Sequence, residues 1–73
     1  MPETRLVCLD EEHAKAVTEE ATRPGDTVHT VRQEGKVVVI GYFDKRWPLD
    51  VADWAGEHGH CTDHQAARVI AGL

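Results

Sequence analysis

The chain has little of what small domains use as staples or as chemistry. Its two cysteines, Cys8 and Cys61, cannot build a disulfide framework. Aromatic residues make up 5% of the chain, so few large side chains are available to fill a core. No apolar run approaches bilayer length: Val37 to Ile40 is four residues, far short of a span. Basic charge is scarce too. Eight Lys and Arg stand against thirteen Asp and Glu, a net charge of -5, which argues against nucleic acid or an anionic membrane as a partner through bulk attraction. No glycine-rich phosphate loop, Cys-x-x-Cys pair, His-Glu-x-x-His or nucleophile elbow is present, so no motif names a catalytic acid, base or nucleophile.

What remains is 73 residues, 41% apolar and 29% charged, the composition of one small globular domain spanning residues 1–73. A chain this short buries only about 60% of its unfolded surface, leaving scant room for a deep catalytic pocket. Met1-Pro2-Glu3 does not open a secretory signal, and the expected location is the cytoplasm, where both thiols stay reduced.

Apolar patterning predicts the order β-α-β-β-α-α. Arg5 to Leu9 reads as a buried strand and Asp10 as the N-cap of a helix ending near Thr22, before Pro24 and Gly25. Ala14, Val17 and Ala21 give that helix a narrow inner stripe of small side chains. Thr27 to Gln33 and Lys36 to Phe43 flank Glu34-Gly35, read as a two-residue hairpin turn, which pairs Gln33 with Lys36, Val31 with Val38 and Thr27 with Tyr42. A helix joining two strands makes them parallel, so the third strand is expected between them, giving a three-stranded antiparallel sheet of order 2-3-1. Asp44 to Pro48 reads as a connection. From Leu49 the helical period returns through Val51, Trp54, Ala55 and His58, and Gly56 and Gly59 weaken or end that helix. Thr62-Asp63-His64-Gln65 has the form of a capping box for a last helix, with Ala66, Val69, Ile70 and Leu73 inward. The fold class is α+β.

Charge is uneven. Residues 1 to 26 hold seven acids and three bases, residues 27 to 49 two acids and four bases, and residues 50 to 73 four acids and one base. The first helix carries Glu11, Glu12, Glu19 and Glu20 around Lys15. Glu12 and Glu19 are both in helical reach of Lys15, which predicts an internally compensated salt-bridge row; the alternative is an acidic docking face for a basic partner. Lys45-Arg46-Trp47 joins an aromatic to two bases, the composition of an interaction hot spot, while Trp47 could equally close the open edge of the core.

The densest run of metal-ligand types is Glu57 to His64. His58, His60, Cys61 and His64 supply three imidazoles and a thiol, a donor set suited to zinc, although the spacing matches none of the paired arms of known zinc patterns. The alternative is a polar turn between helices with Cys61 tucked inward.

Asp50-Val51-Ala52-Asp53-Trp54-Ala55-Gly56, followed by Thr62 to Gly72 with Arg68-Val69-Ile70, resembles the helix-turn-helix of bacterial repressors. The resemblance implies Asp63, His64, Gln65 and Arg68 as base-reading positions. The sequence departs from that motif in its longer Glu57 to Cys61 connection and in its net acidic charge, which removes the usual phosphate contacts.

Three functions follow as expectations. The first is a non-catalytic, cytoplasmic protein-binding module, of the size and charge of small phage or mobile-element inhibitors that occlude a site on a host protein. It would dock through Glu11, Glu12, Glu19, Glu20, Lys45, Arg46 and Trp47 and carry no cofactor. The second is a DNA-binding regulator using residues 50–72. The third is a zinc-supported domain using residues 58–64. An unpaired hairpin edge also leaves homodimerisation open.

Overall fold

In the computed structural model, which describes residues 1–26 and 28–73, the elements follow in the order β1 (Glu3–Val7), α1 (Glu11–Ala21), β2 (Thr30–Glu34), β3 (Val37–Gly41), α2 (Arg46–Glu57) and α3 (Asp63–Gly72). The sheet order is β1-β3-β2, with β3 antiparallel to both neighbours. This is the expected α+β arrangement. The α1 crossover leaves β1 and β2 parallel with a gap between them, and β3 fills it because Val38, Val39 and Ile40 tolerate burial on both faces.

The hairpin is real but its register differs from expectation by two residues. Glu34 pairs with Val37 and Val31 with Ile40, so the turn is Gly35-Lys36 instead of Glu34-Gly35. Backbone geometry explains the difference. Gly35 has φ +62, and among the described residues only glycines have positive φ. A two-residue turn with one left-handed residue puts glycine first, whereas the expected turn would have forced Glu34 into that conformation. The strands are also shorter than the apolar runs. Cys8 and Leu9 leave the β1 ladder, donating their amides to Lys36 O at 2.8 Å and His60 O at 3.0 Å. Val28 and His29 precede β2, their amides held by Asp26 Oδ1 at 2.8 and 3.0 Å. The expected Thr27–Tyr42 pair lies outside the described residues.

Helix starts follow local chemistry. Asp10 Oδ1 accepts the His13 amide at 2.8 Å, and Thr62 Oγ1 accepts the Gln65 amide at 3.2 Å. The start of α2 corrects the sequence reading: the helix begins at Arg46, so Arg46, Trp47 and Pro48 form its first turn and not a connection. Asp44 Oδ1 accepts the Arg46 amide at 2.9 Å, and Pro48 sits where a missing amide hydrogen costs nothing.

The helices bury small side chains against one face of the sheet. Ala14, Val17 and Ala21 of α1, Val51, Ala52 and Ala55 of α2, and Ala66 and Val69 of α3 meet Leu6, Val38 and Ile40. Ile70 is exposed and Leu73 only half-buried, so the inner face of α3 is narrower than expected. On the other face Val39 is flanked in register by Arg5 and Arg32, and is 1% exposed. Arg32 spans to Glu3 Oε2 at 2.8 Å, and the long stems of the two arginines stand on either side of the valine. No described helix is long and apolar enough to cross a membrane.

Candidate functional site

α1 is held rigidly at its start: Gln33 Nε2 donates to Glu11 O and to Gly35 O, both at 2.8 Å, tying the helix to the hairpin. Its outer face carries Glu11, Glu12, Glu19 and Glu20, all exposed. The expected Glu12–Lys15–Glu19 row does not form. The ion pairs among the described residues are Asp26–His29, Glu3–Arg32, Glu34–Arg32 and Asp44–Arg46, and none involves α1. A lysine reaching an exposed carboxylate gains little and loses side-chain freedom, so solvation prevails. All four glutamates therefore present unpaired carboxylates to solvent.

The fold divides Lys45-Arg46-Trp47. Lys45 and Arg46 face water, with Arg46 folded back on Asp44 at 3.1 Å, and that pairing holds the Asp44 carboxyl below its ordinary range, after the Arg46 amide as the larger cause. Trp47, in the first helical turn, points the other way and packs against the core. It forms part of a groove of about 210 Å³ between α1 and α2, lined by Glu20, Ala21, Arg23, Trp47, Asp50, Val51 and Trp54. The sequence-predicted residues Glu20 and Trp47 thus meet in one groove, while Glu11 and Glu12 lie at the far end of α1. Arg23, Asp50 and Trp54 complete the groove and were not singled out as binding residues. Of these only Trp54 has a sequence signal, its helical spacing with Trp47 and Val51, which sets one stripe of α2 against α1.

Trp47 is covered from two directions. The Arg23 guanidinium carbon lies 4.6 Å from the ring centroid, a cation–π distance. The His29 ring lies 5.2 Å away at 33°. Asp26 Oδ2 is 3.2 Å from His29 Nδ1, and two backbone amides, from His29 and Val28, hold the Asp26 carboxyl below its ordinary range. Trp47 Nε1 and His29 Nε2 are both buried without a partner.

The histidines gather differently from expectation. His60 Nδ1 lies 2.9 Å from Nδ1 of His13 on α1, and the His58 ring stacks on Trp54 at 4.7 Å with Nδ1 donating to Trp54 O at 2.9 Å. His13 thus joins His58 and His60, with the Trp54 ring 5.1 Å from that of His60. His64 is exposed in the first turn of α3, and Cys61 is buried. Among the described residues no group of three or more His, Cys, Asp and Glu side chains could hold a metal ion. Burial, then the neighbouring His13 and His58, lowers the His60 pKa; burial raises that of Cys61. His13 carries no sequence signal for this role, since it is 47 residues away in the chain.

In the last helix, Gln65 and Arg68 open with Arg5 and Thr4 of β1 onto a crevice of about 270 Å³, and Asp63 lines a different groove with Asp53 and Glu57. Of the positions that the helix-turn-helix resemblance groups for base reading, Gln65 and Arg68 therefore line one groove and Asp63 another, while His64 lines neither. No family model, curated protein or solved structure matches the chain.

Proposed function

We propose that this chain is a non-catalytic, cytoplasmic protein-binding module that docks through the outer face of α1 and the adjoining α1–α2 groove, and that it inhibits its partner by occluding a site, in the manner of small acidic phage or mobile-element factors. The observation that carries the reading is the row of unpaired carboxylates on a rigidly anchored α1, continuous at Glu20 with an aromatic groove. Four acids against one base on eleven residues give a face that attracts basic surfaces. Indole and arginine side chains beside it are the types that dominate interface energies. Grooves of about 210 to 270 Å³ are smaller than the roughly 300 Å³ at which small-molecule pockets begin, which favours side-chain contacts over enclosed chemistry.

The test is affinity purification of the tagged protein from its own cells, with native mass spectrometry of the eluate. A stoichiometric protein partner is expected. Glu12→Lys with Glu19→Lys should release it at unchanged circular dichroism. Retention by the reversed-charge variant, or the absence of any partner, would overturn the proposal.

A further inference from the structure

The groove between α1 and α2 already holds a guanidinium, that of Arg23, and we infer that its ligand is an arginine side chain of the protein partner, which displaces Arg23 on docking. This rests on the protein-binding reading above and names the group recognised.

Three features converge on that chemistry. Arg23 lies over Trp47 at 4.6 Å, so the indole already receives a planar cation in this geometry. The Arg23 contact is nevertheless incomplete, because Arg23, Glu20 and Asp50 form no ion pair among the described residues, although all three line the same groove. An incoming guanidinium on a longer approach can stack on the indole and also reach carboxylates, using its fork of donors as well as its flat face. Trp54 supplies a second aromatic side chain to the lining of the same groove. The size also fits: about 210 Å³ is on the scale of one long side chain and below the roughly 300 Å³ at which small-molecule pockets begin.

Arg23 is suited to giving way. It is exposed and follows the last turn of α1, with Gly25 at φ +84 two residues on. Lysine is a poorer occupant, because its compact, strongly hydrated ammonium has no planar face to stack. The net charge of -5 draws a basic segment in at long range.

The experiment titrates the full chain with three blocked pentapeptides, Gly-Gly-Xaa-Gly-Gly with Xaa arginine, lysine or citrulline, while following the two indole N–H resonances by NMR. Citrulline keeps the shape and removes the charge. The arginine peptide should shift the indole signals, the lysine peptide more weakly, and the citrulline peptide not at all. Arg23→Ala should tighten arginine binding about threefold by vacating the ring, and Glu20→Gln with Asp50→Asn should weaken it about threefold or more. Equal shifts with citrulline, or an Arg23→Ala variant that binds no better, would overturn the inference. Its failure is separable from failure of the docking proposal. A native partner that survives Glu20→Gln with Asp50→Asn but is lost on reversal of Glu12 and Glu19 refutes the arginine site alone.

Discussion

His13 Nδ1 and His60 Nδ1 stand 2.9 Å apart, joining the first turn of α1 to the loop after α2. Two facing imidazole nitrogens need one hydrogen between them, and two imidazolium rings would place like charges in contact. Burial and the neighbouring His13 and His58 accordingly hold the His60 pKa below the ordinary 6.5. The unfolded chain then binds a proton that the folded chain refuses, so this contribution is complete above pH 6.5 and lost as pH falls through the lowered value. Thermal unfolding should show a lower Tm at pH 5.5 than at 7.5, a gap that His60→Asn narrows. An undiminished gap in that variant would remove the pair as its source.

Gly41 faces Thr30 across the β2–β3 ladder, and a Cβ at Gly41 would collide with Thr30 Oγ1. Gly41→Ala should destabilise by about 1–3 kcal/mol, the usual range for overpacking. Adding Thr30→Ala removes the hydroxyl and leaves Thr30 Cβ at an ordinary 3.7 Å, with the flexible end of Met1, at 3.0 Å, free to move aside. Urea denaturation of the four members of the cycle should show a strongly non-additive recovery. Additive losses would place the strain elsewhere.

Cys8 and Cys61 are each 4% exposed. Burial pushes the Cys8 thiol up to about 11, with Cys61 and Asp10 adding to the effect. Thiolate is the reactive form, so neither cysteine should react readily with an aromatic disulfide reagent at pH 8. Labelling should track unfolding and accelerate in urea. A fast stoichiometric burst in the native protein would contradict the burial of at least one thiol.

The caps of α1 and α3 should be separable contributions. Asp10→Ala and Thr62→Ala each remove one acceptor for a first-turn amide and should cost about 0.5–2 kcal/mol apiece by urea titration. The two sites sit on different helices and share no hydrogen bond, so the double variant should lose the sum within about 0.5 kcal/mol.

Legibility in the sequence depended on range. Asp10 and Thr62 announce their helices because a cap acts within one turn, and Ala14, Val17 and Ala21 announce a buried stripe because helical spacing is local. The start of α2 was hidden because Asp44-Lys45-Arg46-Trp47-Pro48 reads as polar and proline-broken, although proline is well tolerated in a first turn. The hairpin turn was displaced by one residue because glycine occurs at either central position of two-residue turns, and here the positive φ falls on Gly35 as the first of them. Of the candidate site, the four glutamates of α1 were legible as an acidic face, but whether Lys15 would neutralise them was not. That balance between solvation and pairing is decided by less than about 1 kcal/mol.

The sequence by itself determined the element order, the α+β class and the central place of β3, because apolar periodicity and the geometry of a helical crossover leave few other arrangements. Only the tertiary structure decided which side chains meet across long separations. It turned Trp47 away from Lys45 and Arg46 into a groove with Glu20, placed Arg23 on its ring, and set His13 against His60 in place of a ligand cluster with His64. Those contacts depend on how two helices lie on one sheet, and no local pattern encodes the angle or offset at which they pack.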